Sequence, residues 1–202
     1  MQNYRETKYC VSTEIMEGKY KNKYNISSTR LTGWDYGSHG SYFITVCTKD
    51  RVRYFGEIES LDSEFNTETQ SIVSLRATEI GEVAYANWES IPLFHPYVEL
   101  DEFVVMPDHI HGILFINKPG KVSWELNKFG PQRNNLGSIL RGYKYSIKTY
   151  ATINAIEFSW QSRYYDRVIR NEKEYLNIKE YIRNNPDQWY LNGEDFENLF
   201  KP

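Results

Sequence analysis

The chain has 202 residues, 40% of them hydrophobic, and a formal net charge of −3, enough for one domain or one domain with arms. No run of about 18 apolar residues occurs, so no membrane span is expected, and the N-terminus lacks the apolar core of a signal peptide. Cys10 and Cys47 have no close zinc-site spacing and are too few for a disulfide framework, which makes a cytoplasmic protein the expectation.

The net charge hides a division. From Asp50 to Glu102, twelve acids face three bases, a net of −9, whereas from Pro131 to Arg170 seven bases face two acids, a net of +5. The basic block reads as ordinary solvated surface or as a face for a polyanion.

In chain order, residues 1–32 are polar and read as an arm. Ser41–Thr48, rich in β-branched and aromatic residues and preceded by Gly37 and Gly40, is expected to be a strand. Asp50–Asn66 reads as a second short strand or a loop. Thr69–Trp88 places Ile72, Leu75, Ile80, Val83 and Ala84 at mostly helical spacing and predicts a helix. Tyr97–Val105 and His109–Asn117 are two strands joined by Met106-Pro107-Asp108, whose turn-forming residues predict a tight antiparallel hairpin.

Lys118–Asn134, with two prolines and two glycines, reads as a loop. Leu136, Ile139, Leu140, Tyr143, Ile147 and Tyr150 then form an apolar helical stripe, with Arg141, Lys144 and Lys148 on another face. Phe158–Trp160 is a candidate final strand. The last helix is expected to open at Asn171, with Glu174 three residues on as in a capping box, and to stop at Pro186. The order β-α-β-β-α-β with a closing helix is the split βαβ, or ferredoxin-like, pattern of an α+β fold.

Two of the four histidines, His109 and His111, stand one residue apart on a predicted strand, so both imidazoles share a face while Ile110 turns away. Such a pair can hold a divalent metal, or can simply decorate a hairpin. On the last helix Tyr181 and Asn185 are four apart and share a face, flanked by Ile178 and Ile182. The bland reading makes the tyrosine core and the asparagine a helix-end residue. The functional reading makes the phenol a nucleophile and the amide oxygen a third metal ligand. Two imidazoles and one oxygen leave open positions, which suits Mg²⁺ or Mn²⁺ better than a closed zinc site. A cupin-like enzyme would want a Glu shortly after the pair, and an amidohydrolase a longer barrel with more His; the chain offers neither.

Five segments carry a family resemblance: Gly40-Ser-Tyr-Phe-Ile-Thr-Val-Cys-Thr48, Val104-Val-Met-Pro-Asp-His-Ile-His-Gly112, Leu136-Gly-Ser-Ile-Leu-Arg-Gly-Tyr-Lys144, Trp160-Gln-Ser-Arg-Tyr-Tyr-Asp-Arg-Val-Ile-Arg170 and Tyr181-Ile-Arg-Asn-Asn-Pro186. In their order over roughly residues 27–190, the chain resembles the REP-associated tyrosine transposases, a branch of the single-tyrosine HUH (IS200-like) transposases. The resemblance implies an HUH endonuclease fold over residues 27–190, between an extension at 1–26 and a tail at 191–202.

It also implies His109 and His111 as the metal pair, Tyr181 as catalytic tyrosine and Asn185 as third metal-side group. The implied reaction is cleavage and rejoining of single-stranded or hairpin DNA, a repeated palindrome, through a 5′-phosphotyrosine. Arg141, Lys144, Lys148, Arg163, Arg167 and Arg170 are candidate DNA contacts, and Tyr143, Trp160 and Tyr164 candidate stacking rings whose commoner role is core. Relatives differ in whether they act as homodimers, so Tyr181 acts in cis or in trans. One departure stands out: Arg167 replaces the histidine of many relatives, and a non-catalytic binder of hairpin DNA is the alternative it leaves open.

Overall fold

A computed structural model of the chain describes residues 30–31, 33–60, 73–121, 123 and 133–192. The predicted extension at 1–26, most of the 118–134 loop and the tail from 193 onward lie outside these residues.

The architecture is α+β. Four strands, β1 (Gly40–Cys47), β4 (Val98–Met106), β5 (His109–Ile116) and β6 (Tyr165–Ile169), form an antiparallel sheet in the order β4-β5-β1-β6. The two others, β2 (Gly56–Ser60) and β3 (Val73–Ala77), pair separately. Helix α1 (Glu79–Glu89), the short α2 (Ile91–Phe94), α3 (Leu136–Ile153) and α4 (Glu172–Asn192) complete the chain. The sheet order is that of the split βαβ pattern, with β1 and β5 central. No helix among the described residues is long and apolar enough to cross a membrane.

Alternation along the central strands divides the core in two. Tyr42, Ile44 and Val46 of β1 and Ile110, Leu114 and Ile116 of β5 are buried with Ala84 and Trp88 of α1 and Leu140, Tyr143 and Ile147 of α3. The opposite face carries Phe43 and Ile113, which pack on Ile178 and Ile182 of α4. Thus α1 and α3 cover one face of the sheet, and α4 lies across the other.

Three expectations are corrected. The Thr69–Trp88 helix is in its described part a strand followed by a shorter helix. Leu75 belongs to β3, because the Thr78 side chain accepts the Gly81 N–H and caps α1 at that point. Ile72 lies outside the described residues. Phe158–Trp160 is not the final strand: Phe158 is a core ring, and Trp160 makes a single bridge to Thr48. The strand that completes the sheet is Tyr165–Ile169, paired with Ser41–Thr45. Finally, α4 runs through Pro186 to Asn192. Its start is as expected, with Asn171 Oδ1 accepting the Glu174 N–H at 2.8 Å. The turn beyond the proline is held by tertiary contact, since the Trp189 ring lies 5.8 Å from that of His109 and beneath the Arg53 guanidinium.

Gly112 is where β5 meets the core most tightly. A Cβ built there would lie 2.3 Å from Trp88 Cζ2 and 2.9 Å from Cε2, and a buried indole has nowhere to retreat. Gly112→Ala is expected to destabilise the fold by about 1–3 kcal/mol, in the range for overpacking, lowering the calorimetric midpoint by several degrees. Gly142→Ala, with nothing within 4 Å of its Cβ and a mid-helix position, should instead stabilise by about 0.5–1 kcal/mol. Equal effects of the two substitutions would contradict this packing.

Candidate active site

The site is built on the β4–β5 turn. Pro107 and Asp108 connect the strands, and their carbonyls are clamped by the Phe55 N–H (2.9 Å) and by the Thr48 N–H and hydroxyl (2.9 Å each). The strand begins immediately after, so side-chain alternation puts His109, His111 and Ile113 under α4 while Ile110 enters the other core. Both imidazoles are fully buried.

Each ring is fixed by its Nδ1 edge. His109 Nδ1 meets Asp108 Oδ1 at 2.6 Å, and the other carboxylate oxygen pairs with Arg51 Nε at 2.9 Å. His111 Nδ1 lies 2.9 Å from Thr45 Oγ1, its register partner on β1, and the ring also donates to the Ile44 carbonyl. An imidazole facing a carboxylate or a carbonyl donates, so the proton belongs on Nδ1 and the Nε2 lone pair points toward α4. The Phe43 ring stacks on His111 at 5.2 Å and limits its rotation. The two imidazole centroids are 4.6 Å apart.

Helix α4 brings the other half. Ile178 and Ile182 anchor it on Phe43 and Ile113, which turns Tyr181 and Asn185 toward the histidines. The Tyr181 hydroxyl reaches His111 Nε2 at 3.0 Å. Asn185, buried, lies beside the His109 ring and hydrogen-bonds the Tyr181 hydroxyl. The four residues singled out in the sequence therefore meet at one point.

Burial sets the protonation of this cluster. Desolvation holds His109 well below the ordinary imidazole range, Arg51 pushes the same way, and the Asn185 contact opposes them. His111 is lowered by burial, then by His109 and Arg51. Both rings are thus neutral at pH 7, the form that ligates metals. The Tyr181 phenol is pushed up to about 12 by burial, against the Asn185 hydrogen bond and the Arg51 charge. It is protonated at neutral pH.

The donor set suits a divalent cation in its chemistry. Two neutral imidazoles with Nδ1 anchored and Nε2 directed to one side is the arrangement that a hydrogen-bond partner on the far ring nitrogen imposes on metal-binding histidines. Among the described residues no cluster of three or more His, Cys, Asp or Glu is placed to hold a metal; Asn185 is the further oxygen donor beside the pair.

Three participants were not singled out as functional in the sequence. Asp108 reads there only as a turn former, although its place beside His109 was a usable signal. Thr45 becomes visible only through the strand register. Arg51 carries no signal, since it arrives through a tight turn in which Asp50 and Arg51 have φ of 53° and 57°. The candidate DNA contacts are dispersed. Arg141 and Arg163 are exposed, on and beyond α3, and Arg167 and Arg170 lie at the β6 end near α4. Arg167 bonds the Glu174 carboxylate of α4. Tyr143 is core, donating to the Ala84 carbonyl at 2.9 Å; Trp160 and Tyr164 are half-buried beside that core.

The fold and site define a ferredoxin-like domain whose sheet face carries an anchored histidine pair beneath a tyrosine-bearing helix. No protein-family model matches the chain. It is 39% identical over 171 residues, 80% of this chain and 88% of the relative, to a protein of Haemophilus influenzae described as uncharacterized, and the chain belongs to that protein's family. A solved structure of a REP-associated tyrosine transposase bound to a REP hairpin is similar at 21% identity and a TM-score of 0.47, over 81% of this chain and 74% of that one.

Lys144 and Lys148 serve the fold. Lys144 Nζ donates to the Gln161 and Arg163 carbonyls, and Lys148 Nζ to that of Phe158 at 2.6 Å, stapling α3 to the segment before β6. Burial lowers the Lys144 ammonium from 10.5 to about 8. Between those values the unfolded chain binds the proton and the folded one has lost it, so this group's contribution to stability rises with pH from about 8 to 10.5. Wild type should therefore gain stability relative to Lys144→Met as pH is raised from 7 to 9.5, read as the difference in urea midpoints. A pH-independent difference would contradict the burial of this ammonium.

Proposed function

We propose that this chain cleaves and rejoins single-stranded, hairpin-bearing DNA by transesterification, with Tyr181 as nucleophile and a divalent cation, Mg²⁺ or Mn²⁺, held by His109, His111 and Asn185. The reading rests on one observation above all: the Tyr181 hydroxyl lies 3.0 Å from His111 Nε2, although the two residues are 70 positions apart and arrive on different elements. The family resemblance of the motifs assigns these residues the same roles.

In the proposed step the Tyr181 oxygen attacks a backbone phosphorus, forming the phosphotyrosine ester as the P–O3′ bond breaks. The 3′ oxygen leaves and takes up a proton, giving a free 3′-hydroxyl. Because one phosphoester replaces another, a second 3′-hydroxyl can reverse the reaction without ATP. The phenol must lose its proton for attack, and its pKa of about 12 leaves it a poor nucleophile unaided. The hydroxyl hydrogen-bonds His111 Nε2 and Asn185; a cation taken up by the His111 lone pair would displace the first of these bonds and favour the phenolate by its charge. The cation would polarise the phosphate and offset its developing negative charge. Anchored by Asp108 and Thr45, the rings reach this geometry without reorganising.

The full burial of both imidazoles also suits a second reading, a hairpin binder without chemistry. A 3′-labelled hairpin oligonucleotide incubated with Mn²⁺ and run on a denaturing gel separates the two. A covalent adduct is expected with wild type, reduced at least about a thousandfold in Tyr181→Phe, as for loss of a nucleophile, and absent with EDTA. Tight binding across varied hairpins with no adduct would favour the binder. Asp108→Asn tests the cation: Mn²⁺ affinity by calorimetric titration should fall about 10–100-fold, the usual cost of losing the carboxylate that orients a metal-binding imidazole. Unchanged affinity would remove the metal from this site.

A further inference from the structure

A cavity of about 760 Å³ lies between β6 and the first turns of α4, and its lining runs from Arg167, Arg170 and Asn171 at one end to Tyr181 at the other. Its α4 wall is one helical stripe, Asn171, Glu174, Ile178 and Tyr181, with Lys173 and Asn177 beside it. β6 is the last strand of its sheet, so its outer side has no strand partner among the described residues.

The charges around it are unevenly balanced. On the side of α4 facing β4, Lys179 pairs with Asp101 and Arg183 with Glu102. At the cavity, Glu174 is engaged by Arg167, and Asp166 is buried beside Arg30 and the Tyr36 hydroxyl. Arg170 and Lys173 are exposed and form no salt bridge among the described residues. Neutral amides (Asn171, Asn177) and the half-buried Tyr165 ring also line it, with the buried Tyr36 ring behind them. Cationic groups alternating with amides and rings are what an unpaired nucleic-acid strand binds, phosphates to the cations and bases to the rings.

We infer that this cleft seats the unpaired nucleotides on one side of the scissile phosphate and leads the strand to Tyr181. The inference rests on the transesterification reading for its substrate and adds where that substrate runs. From Asn171 to Tyr181 the helix rises about 15 Å, which is about four stacked nucleotides at 3.4 Å each, or fewer if extended. The cleft also explains how DNA meets a buried histidine pair: Tyr181 is the residue of the site that lines the cavity, so the strand arrives over the phenol and not through the sheet.

The test uses the full chain in EDTA and a set of hairpins with zero to four unpaired nucleotides on the 5′ or the 3′ side, with affinity read by fluorescence anisotropy. Wild type should bind tighter as one of the two tails lengthens. Lys173→Glu combined with Asn177→Ala should erase about tenfold of that gain and reduce the salt slope for tailed hairpins by about 0.7, while leaving the tailless hairpin unchanged. Equal loss on tailed and tailless hairpins, no loss on either, or no gain from either tail would overturn the inference. The covalent assay fails independently. A tail-dependent, cleft-dependent affinity without any adduct would keep the cleft and discard the transesterase; an adduct with no tail dependence would do the reverse.

Discussion

The site depends on two buried imidazoles being held by their Nδ1 edges. A neutral ring placed in a core without partners would leave two polar atoms unsatisfied, at a cost of about 1–3 kcal/mol each. Here Asp108 takes His109 and the Thr45–Ile44 edge of β1 takes His111. These bonds make the burial tolerable, and by occupying Nδ1 they send both Nε2 lone pairs to the same side. Arg51 sits behind Asp108 and keeps a carboxylate in a place where burial alone would favour its protonation.

From that constraint the rest of the fold acquires its purpose at the site. The two-residue turn after β4 fixes which face His109 occupies, and three hydrogen bonds to its carbonyls keep the register from slipping. A slip of one residue would bury Ile110 under α4 and turn the histidines into the opposite core. Gly112, with Trp88 against its backbone, lets the far side of β5 close on α1. Helix α4 then needs only two isoleucines to seat it, and its repeat brings Tyr181 and Asn185 over the pair. The same helix continues past Pro186, and Trp189 closes over His109.

Much of this was legible in the sequence, for reasons that can be named. The hairpin was readable because Pro and Asp restrict the turn and β-branched runs flank it. The α3 stripe was readable because six apolar residues at 3.6 spacing have few other uses. The meeting of His109, His111, Tyr181 and Asn185 followed from motif resemblance and face-sharing together, neither of which gives a distance. What escaped depended on long-range pairing. Leu75 fits a helical pattern until β2 claims it as a strand residue. The final strand was misplaced because Phe158 and Trp160 look as strand-like as Tyr165–Ile169, and only pairing with β1 decides between them. Arg51 and Thr45 act through geometry that no local pattern encodes. Lys144 and Lys148 looked like free cations on a helix, whereas the fold turns them onto carbonyls.

The central claim is that the phenol over the histidine pair, and no other of the 17 tyrosines, becomes covalently joined to DNA. Tandem mass spectrometry of nuclease-trimmed adducts addresses it directly. The account predicts a single modified peptide in which Tyr181 carries the 5′-phosphate of the residual nucleotide. A nucleotide found on any other residue, such as Tyr175 or Tyr165 on the same face of the sheet, would contradict it.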